Sequence, residues 1–185
     1  MTRVIFGMTM SLDGFINDAE GRIARLYPDF DELQASELMR EAIRDTGAVI
    51  MGRRTFGMVD DPDTYADRYE FQVPIFVVTR QAPARAPKEN GAIRFTFVDS
   101  PEEAVRQAIG AANGRDVTVV GGPDVGMQLL GAGLVDELQI GITPIVLGKG
   151  TRLFDRLSGL PITLRKTRVV ETGQRTDLFF DVGTG

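Results

Sequence analysis

The sequence predicts an α/β domain built round a mixed β-sheet, and three observations predict it. Apolar runs and helix-period segments alternate from the N-terminus to about residue 130. Two of the runs, VPIFVVT at 73–79 and VTVVGG at 117–122, are nearly continuous, the pattern of strands covered on both faces. After Asp136 only strand-like segments remain. With 185 residues, 43% of them apolar, the chain has the size and apolar content of a single domain with one well-buried core, so one domain over 1–185 is expected.

The elements follow in order. RVIFGMTM at 3–10 reads as the first strand, and the Asp13-Gly14 turn opens a long loop. A helix is expected over 31–45, with Asp31 and Gln34 as its capping box and Ala35, Leu38, Met39, Ala42 and Ile43 on one face. An apolar strand then runs into Gly52. IRFTFV at 93–98 alternates and suits a position nearer a sheet edge, after a surface loop at 81–91. Ser100-Pro101-Glu102-Glu103 joins an N-cap, a first-turn proline and a capping-box glutamate, so a helix runs from 101 to about 112. A short helix follows from Gly122 to Leu130. DELQIGITPIVLG, ITLRKTRVV and DLFFDV read as the closing strands.

Composition excludes whole classes of chemistry. With no Cys and no His, the chain builds no thiolate nucleophile, Ser-His-Asp triad, Cys/His zinc site or imidazole shuttle. What remains suits a reaction whose difficult step is carried by a bound cofactor. No metal site is expected: Asp60, Asp61 and Asp63 are the only dense acidic group, and Pro62 among them makes a solvated turn the better reading. A net charge of −5 argues against nucleic-acid or anionic-membrane binding, so any bound anion must be met by a local basic cluster. The N-terminus has no signal-peptide pattern and no apolar run long enough to span a bilayer, which leads to the expectation of a cytoplasmic protein.

Three strand ends supply that cluster. Gly52-Arg53-Arg54-Thr55 follows one apolar strand, Thr79-Arg80 a second and Gly121-Gly122 a third, the last opening a helix through Pro123, Asp124 and Val125. Ligands of open α/β sheets bind outside the carboxyl ends of the strands, where guanidinium groups and free N–H groups can hold phosphate. Neither the dinucleotide fingerprint nor the P-loop is present: VVGGPDVG has its glycines at the wrong spacing, and GKGT at 148–151 lacks both the earlier glycine and a hydroxyl residue directly after Lys149. GKGT therefore reads equally well as a glycine-rich connection between strands.

Four segments in order, MTMSLDGFI at 8–16, VIMGRRTF at 49–56, PIFVVTR at 74–80 and the long run 119–154, resemble the dihydrofolate reductase superfamily. The resemblance is closer to the branch of the C-terminal reductase domain of the bifunctional riboflavin-biosynthesis deaminase-reductase. It implies a three-layer fold with a mixed, mostly parallel sheet, flanking helices and C-terminal antiparallel strands. It also implies an NADPH-dependent reductase acting on a small heterocycle, and a homodimer. Carried over residue by residue, Gly52, Arg53 and Thr55 would meet the cofactor's phosphates, with Arg53 at the 2′-phosphate and Thr55 at the pyrophosphate, and Arg54 beside them. Thr79 and Arg80 would flank the adenosine, and Gly121, Gly122, Pro123, Asp124 and Val125 would hold the pyrophosphate. Asp13 would lie near the substrate's ribose or polar edge as a candidate catalytic carboxylate. Folate reductases carry an acid sixteen positions before the glycine that matches Gly52, and here that position is Ser36. Glu32, one helical turn earlier, offers a substitute acid if it is buried. The commoner role for such a residue is a first-turn glutamate favoured by the helix dipole.

Overall fold

The computed structural model describes residues 1–183. Its strands are β1 (Val4–Ser11), β2 (Thr46–Gly52), β3 (Ile75–Val78), β4 (Phe95–Val98), β5 (Asp116–Val120), β6 (Glu137–Thr143), β7 (Leu164–Thr172) and β8 (Arg175–Val182). The helices are α1 (Phe30–Ala35), α2 (Glu37–Asp45), α3 (Arg53–Phe56), α4 (Thr64–Arg68), α5 (Pro101–Ala111) and α6 (Pro123–Gly131), with a 3₁₀ turn at Ala24–Leu26. The strands form one sheet in the order β4-β3-β2-β5-β1-β6-β8-β7. The first six run parallel, and β8 pairs antiparallel with both β6 and β7. The expected mixed sheet with an antiparallel C-terminal end is therefore present, and β4 takes the outer edge anticipated for residues 93–98.

Period-2 alternation divides the core between the two faces of this sheet. From β2, which is buried throughout, Ala48 and Ile50 join Phe6, Val119 and Leu129 on one face. Val49 and Met51 join Phe56, Tyr65, Ile75 and Val77 on the other. A near-continuous apolar run is what a strand covered on both sides requires. Each fully buried side chain of this size contributes about 1.5–3 kcal/mol. Helix α5 starts as expected, with the Ser100 hydroxyl accepting from the Glu103 amide at 3.2 Å and Pro101 in the first turn. The Glu103 carboxylate instead takes hydrogen bonds from Arg106 and Gln107.

Two sequence expectations need correction. The helix expected at 31–45 is two helices. Ser36 breaks it by adopting an extended conformation and capping α2: its hydroxyl accepts from the Met39 amide at 3.1 Å and donates to the Leu33 carbonyl at 2.6 Å. A serine competes with the backbone in this way and so favours a helix start over a helix interior. The Asp31–Gln34 capping box does not form, because α1 begins after Asp29 and Asp31 already lies in its first turn. On the expected apolar face, Leu38, Met39 and Ala42 are half-buried, while Ala35 and Ile43 are exposed. The strand read through residue 148 stops at Thr143, beyond which the chain is irregular as far as Ile162 and Thr163.

Candidate functional site

Strand pairing opens the site. β1 pairs with β5 only as far as Gly7↔Val120, yet continues along β6 to Ser11↔Thr143. Beyond Gly7 and Val120 the carboxyl ends of the strands therefore part, at the place where a parallel sheet leaves a crevice. The crevice here has a volume of about 680 Å³.

One end is lined by the three strand tips. Gly52, Arg53, Arg54 and Thr55 come from the β2–α3 junction, Thr79 and Arg80 from the end of β3, and Gly121, Gly122, Pro123, Asp124 and Val125 from the start of α6. Residues from three separate stretches are thus brought to one wall. Its floor is backbone. Gly121 and Gly122 have φ of 56° and 57°, in the left-handed region, and a Cβ on Gly121 would come within 2.7 Å of Thr55 Oγ1. A Cβ on Gly122 would come within 3.1 Å of the Gly52 amide nitrogen.

Charge is concentrated here. The lining includes four arginines, Arg53, Arg54, Arg80 and Arg156, against two aspartates, Asp99 and Asp124, so a chain with net charge −5 carries a net positive crevice. Arg156 bonds Asp124 at 3.0 Å, and Arg54, almost fully exposed, stands 3.9 Å from the same carboxylate. Arg53 and Arg80 are exposed and have no acidic partner among the described residues. The Thr79 hydroxyl is occupied in a turn, donating to the Gln81 carbonyl at 2.9 Å and accepting from its amide.

The other end is framed by Met8, Thr9, Ile16, Asn17, Ile23 and Tyr27. Behind it lies a feature missed from the sequence. Arg175, 1% exposed, donates to both Asp29 oxygens at 2.9–3.0 Å, to the Leu26 carbonyl at 2.9 Å and to Thr9 Oγ1 at 3.0 Å. Its guanidinium also sits 5.3 Å from the centre of the Tyr27 ring. Those contacts hold Asp29 below the ordinary carboxylate range, with the Arg175 hydrogen bonds as the main cause. Arg175 lies just before the expected strand DLFFDV, and the signal the sequence carried was its spacing of two from Asp177, which places both on one face.

Neither candidate acid lies in the crevice lining. Asp13 accepts from Ser11 Oγ at 2.6 Å, Leu147 N at 3.0 Å and Gly148 N at 2.7 Å. The serine hydroxyl above all, helped by the two amides against partial desolvation, brings its pKa down to about 2. A carboxylate held in that way is a poor proton donor, and Asp13 instead fastens the loop after β1 to the β6–β7 connection. Asn17 repeats the fastening by accepting from the Thr151 amide at 2.8 Å. The GKGT segment is thus the other half of this clasp. Glu32 is exposed on α1 and approaches Gly173, in the β7–β8 turn, rather than the crevice. The burial that an acid at Glu32 needed is absent, because α1 ends at Ala35 and buries none of its residues.

Known proteins share this architecture. A protein from Shewanella sp. PV-4, assigned by name to riboflavin biosynthesis, superposes with a TM-score of 0.77 at 19% identity, covering 99% of this chain and 100% of that one. Dihydrofolate reductase from Enterococcus faecalis, complexed with NADP(H) and RAB-propyl, superposes with a TM-score of 0.62 at 14% identity over 98% of this chain and 97% of its own. In sequence, the uncharacterized protein YyaP of Bacillus subtilis (strain 168) is 24% identical over 179 residues, 92% of this chain and 90% of that protein. Residues 2–178 match the family described as the RibD C-terminal domain, and the chain belongs to that family.

Proposed function

We propose that the protein is an NADPH-dependent reductase that transfers hydride to a C=N or C=O bond of a small heterocycle. The first candidate reaction is one like the reduction of 5-amino-6-(5-phosphoribosylamino)uracil in riboflavin biosynthesis. The observation that carries this reading is the junction, in one crevice, of a bare glycine floor with unpaired guanidinium groups. The floor at Gly52, Gly121 and Gly122 suits a pyrophosphate, since these residues carry no side chain to hold a ligand off the backbone and Thr55 Oγ1 packs directly against Gly121. Family membership supports a reductase, and the NADP(H) complex of the E. faecalis relative supports the choice of cofactor.

In this reading Arg53 pairs with the 2′-phosphate, Thr55 Oγ1 donates to the pyrophosphate, and Thr79 and Arg80 flank the adenosine. Bound NADPH supplies the hydride; the chain orients the two reactants and keeps water from them. The clasp made by Asp13 and Asn17 holds the loop after β1 beside the Thr9 end, where the substrate would enter. A pteridine reductase of the folate type is disfavoured because the Ser36 hydroxyl is committed to capping α2. A homodimer belongs to the same proposal, supported by the exposed edge strand β7, which presents Leu164 and Val169 to solvent.

Arg53→Ala tests the cofactor assignment. Removing a bidentate phosphate contact should weaken NADPH about tenfold or more while changing NADH little, as read by calorimetric titration of both nucleotides. Equal weakening of the two would remove Arg53 from the 2′-phosphate.

A further inference from the structure

At the Thr9 end of the crevice one hydroxyl has its direction decided by a buried cation. Arg175 Nη1 lies 3.0 Å from Thr9 Oγ1, and because a guanidinium only donates, the threonine oxygen is the acceptor. Its own proton is left over. Among the described residues the Thr9 side chain has Arg175 as its sole hydrogen-bond partner and donates to nothing.

The carboxylate in the same row does not claim that proton. Asp177 on β8 is in register with Gly141 on β6, and Gly141 with Thr9 on β1. Asp177 Oδ2 is nevertheless sealed from solvent and receives no hydrogen bond. Burial above all pushes this carboxyl up to about 6, against the lowering effect of Arg175 and with Asp29 adding to the rise. Arg175 stays charged, held by both oxygens of Asp29. A hydroxyl that accepts from a cation is the stronger donor for it.

Room for an acceptor lies on one side of Thr9. Over Gly141 the sheet is filled, since a Cβ there would come within 2.7 Å of Asp177 Oδ1 and 2.9 Å of Arg175 Nη1. Gly7, two residues before Thr9 on the same face of β1, is bare. Apart from its chain neighbours, a Cβ on Gly7 would meet only Gln139 Oε1, at 4.0 Å. Thr9 is half-buried and lines the crevice, as does Tyr27, whose ring meets the same guanidinium. Arg175 does not line it, so the Thr9 hydroxyl is where the buried charge reaches the lining.

We propose that Thr9 determines substrate specificity at this end, donating its hydroxyl proton to a carbonyl oxygen of a planar ring laid over Gly7, with Arg175 as the positioning residue that aims it. This rests on the reductase reading for the hydride donor in the rest of the crevice. A donor backed by a cation draws electron density toward the carbonyl oxygen, and it leaves an apolar group in the same place without a partner.

The test uses 1-methyl-2-pyridone, which has a carbonyl acceptor and no N–H, with o-xylene as a control of similar outline that has no acceptor. Both are titrated calorimetrically into the full chain with and without saturating NADPH. Native protein should bind the pyridone and not the xylene. Thr9→Val should weaken the pyridone about tenfold or more, and Thr9→Ser, which keeps the hydroxyl, should restore most of the loss. Equal pyridone affinity in native protein and Thr9→Val overturns the proposal, as does native protein that holds NADPH but binds no pyridone or fails to distinguish the two rings. Failure of native protein to bind NADPH would count against the reductase reading and leave the comparison of the rings standing. The carbonyl stretch of bound, ¹³C-labelled pyridone reports the hydrogen bond itself. In native protein it should lie well below its position in hexane, and it should move back toward that position in Thr9→Val. A native band at the hexane position overturns the proposal even if Thr9→Val does not fold.

Discussion

The two ends of the crevice are built by opposite means. The end proposed for phosphates is made of strand tips whose glycines strip away side chains, and each tip is contained within a few neighbouring residues. The other end hangs on one buried arginine that ties Asp29, Leu26 and Thr9 to β8 across sequence separations of 146 to 166 residues. An anion from outside can be met by bare backbone and solvated guanidinium groups. A buried cation must be matched group by group, by whichever parts of the chain the fold brings near.

The largest expected effect follows from removing that cation. Arg175→Met leaves Asp29 and the Leu26 carbonyl without their donors, and should destabilise the protein by about 3–5 kcal/mol in urea unfolding at neutral pH. A loss below about 1 kcal/mol would mean that the network is dispensable and the contrast between the ends is false. Next comes Gly121→Ala. A Cβ at a φ of 56° and 2.7 Å from Thr55 Oγ1 should cost about 1–3 kcal/mol. Unlike Arg175→Met, it should weaken NADPH more than it weakens the fold, as nucleotide titrations of the two variants at matched stability will tell.

The smallest effects are in pH dependence, and they have opposite signs. Asp177 is raised to about 6, so its contribution to stability is fully present below its unfolded value near 4 and is lost as pH climbs through about 6. Asp13 is lowered to about 2, so its contribution is present above about pH 4 and is lost as pH falls toward 2. Thermal midpoints followed from about pH 3 to pH 8 should lose the first slope in Asp177→Asn and part of the second in Asp13→Asn. Both variants losing the same slope would break the distinction.

What the sequence disclosed follows the same division. Strand ends, the Ser100 cap and the edge position of β4 are local or periodic features, and they could be read from neighbouring residues. The convergence of Arg53, Thr79 and Gly121 followed from one rule about where parallel strands end. The break at Ser36 was hidden because the apolar spacing continues straight through it, while the serine acts through its own backbone. Asp13 and Glu32 were taken as catalytic carboxylates because burial and partners cannot be counted along a chain. Asp13 proved fastened by amides 134 and 135 residues away, and Glu32 proved exposed. Asp177 looked like the first residue of a strand, and nothing near it signals that its carboxyl lacks a donor.

The strand order bears on how the molecule comes into being. Of the eight strands β1 is made before the others, yet it belongs in the sheet interior between β5 and β6. The Arg3 amide waits for Asp116, 113 residues later, and the Arg3 guanidinium for Glu137 and then Asp181. Through most of synthesis an apolar strand with two open edges must be kept from other chains, and the sheet can close only when the final hairpin has been made.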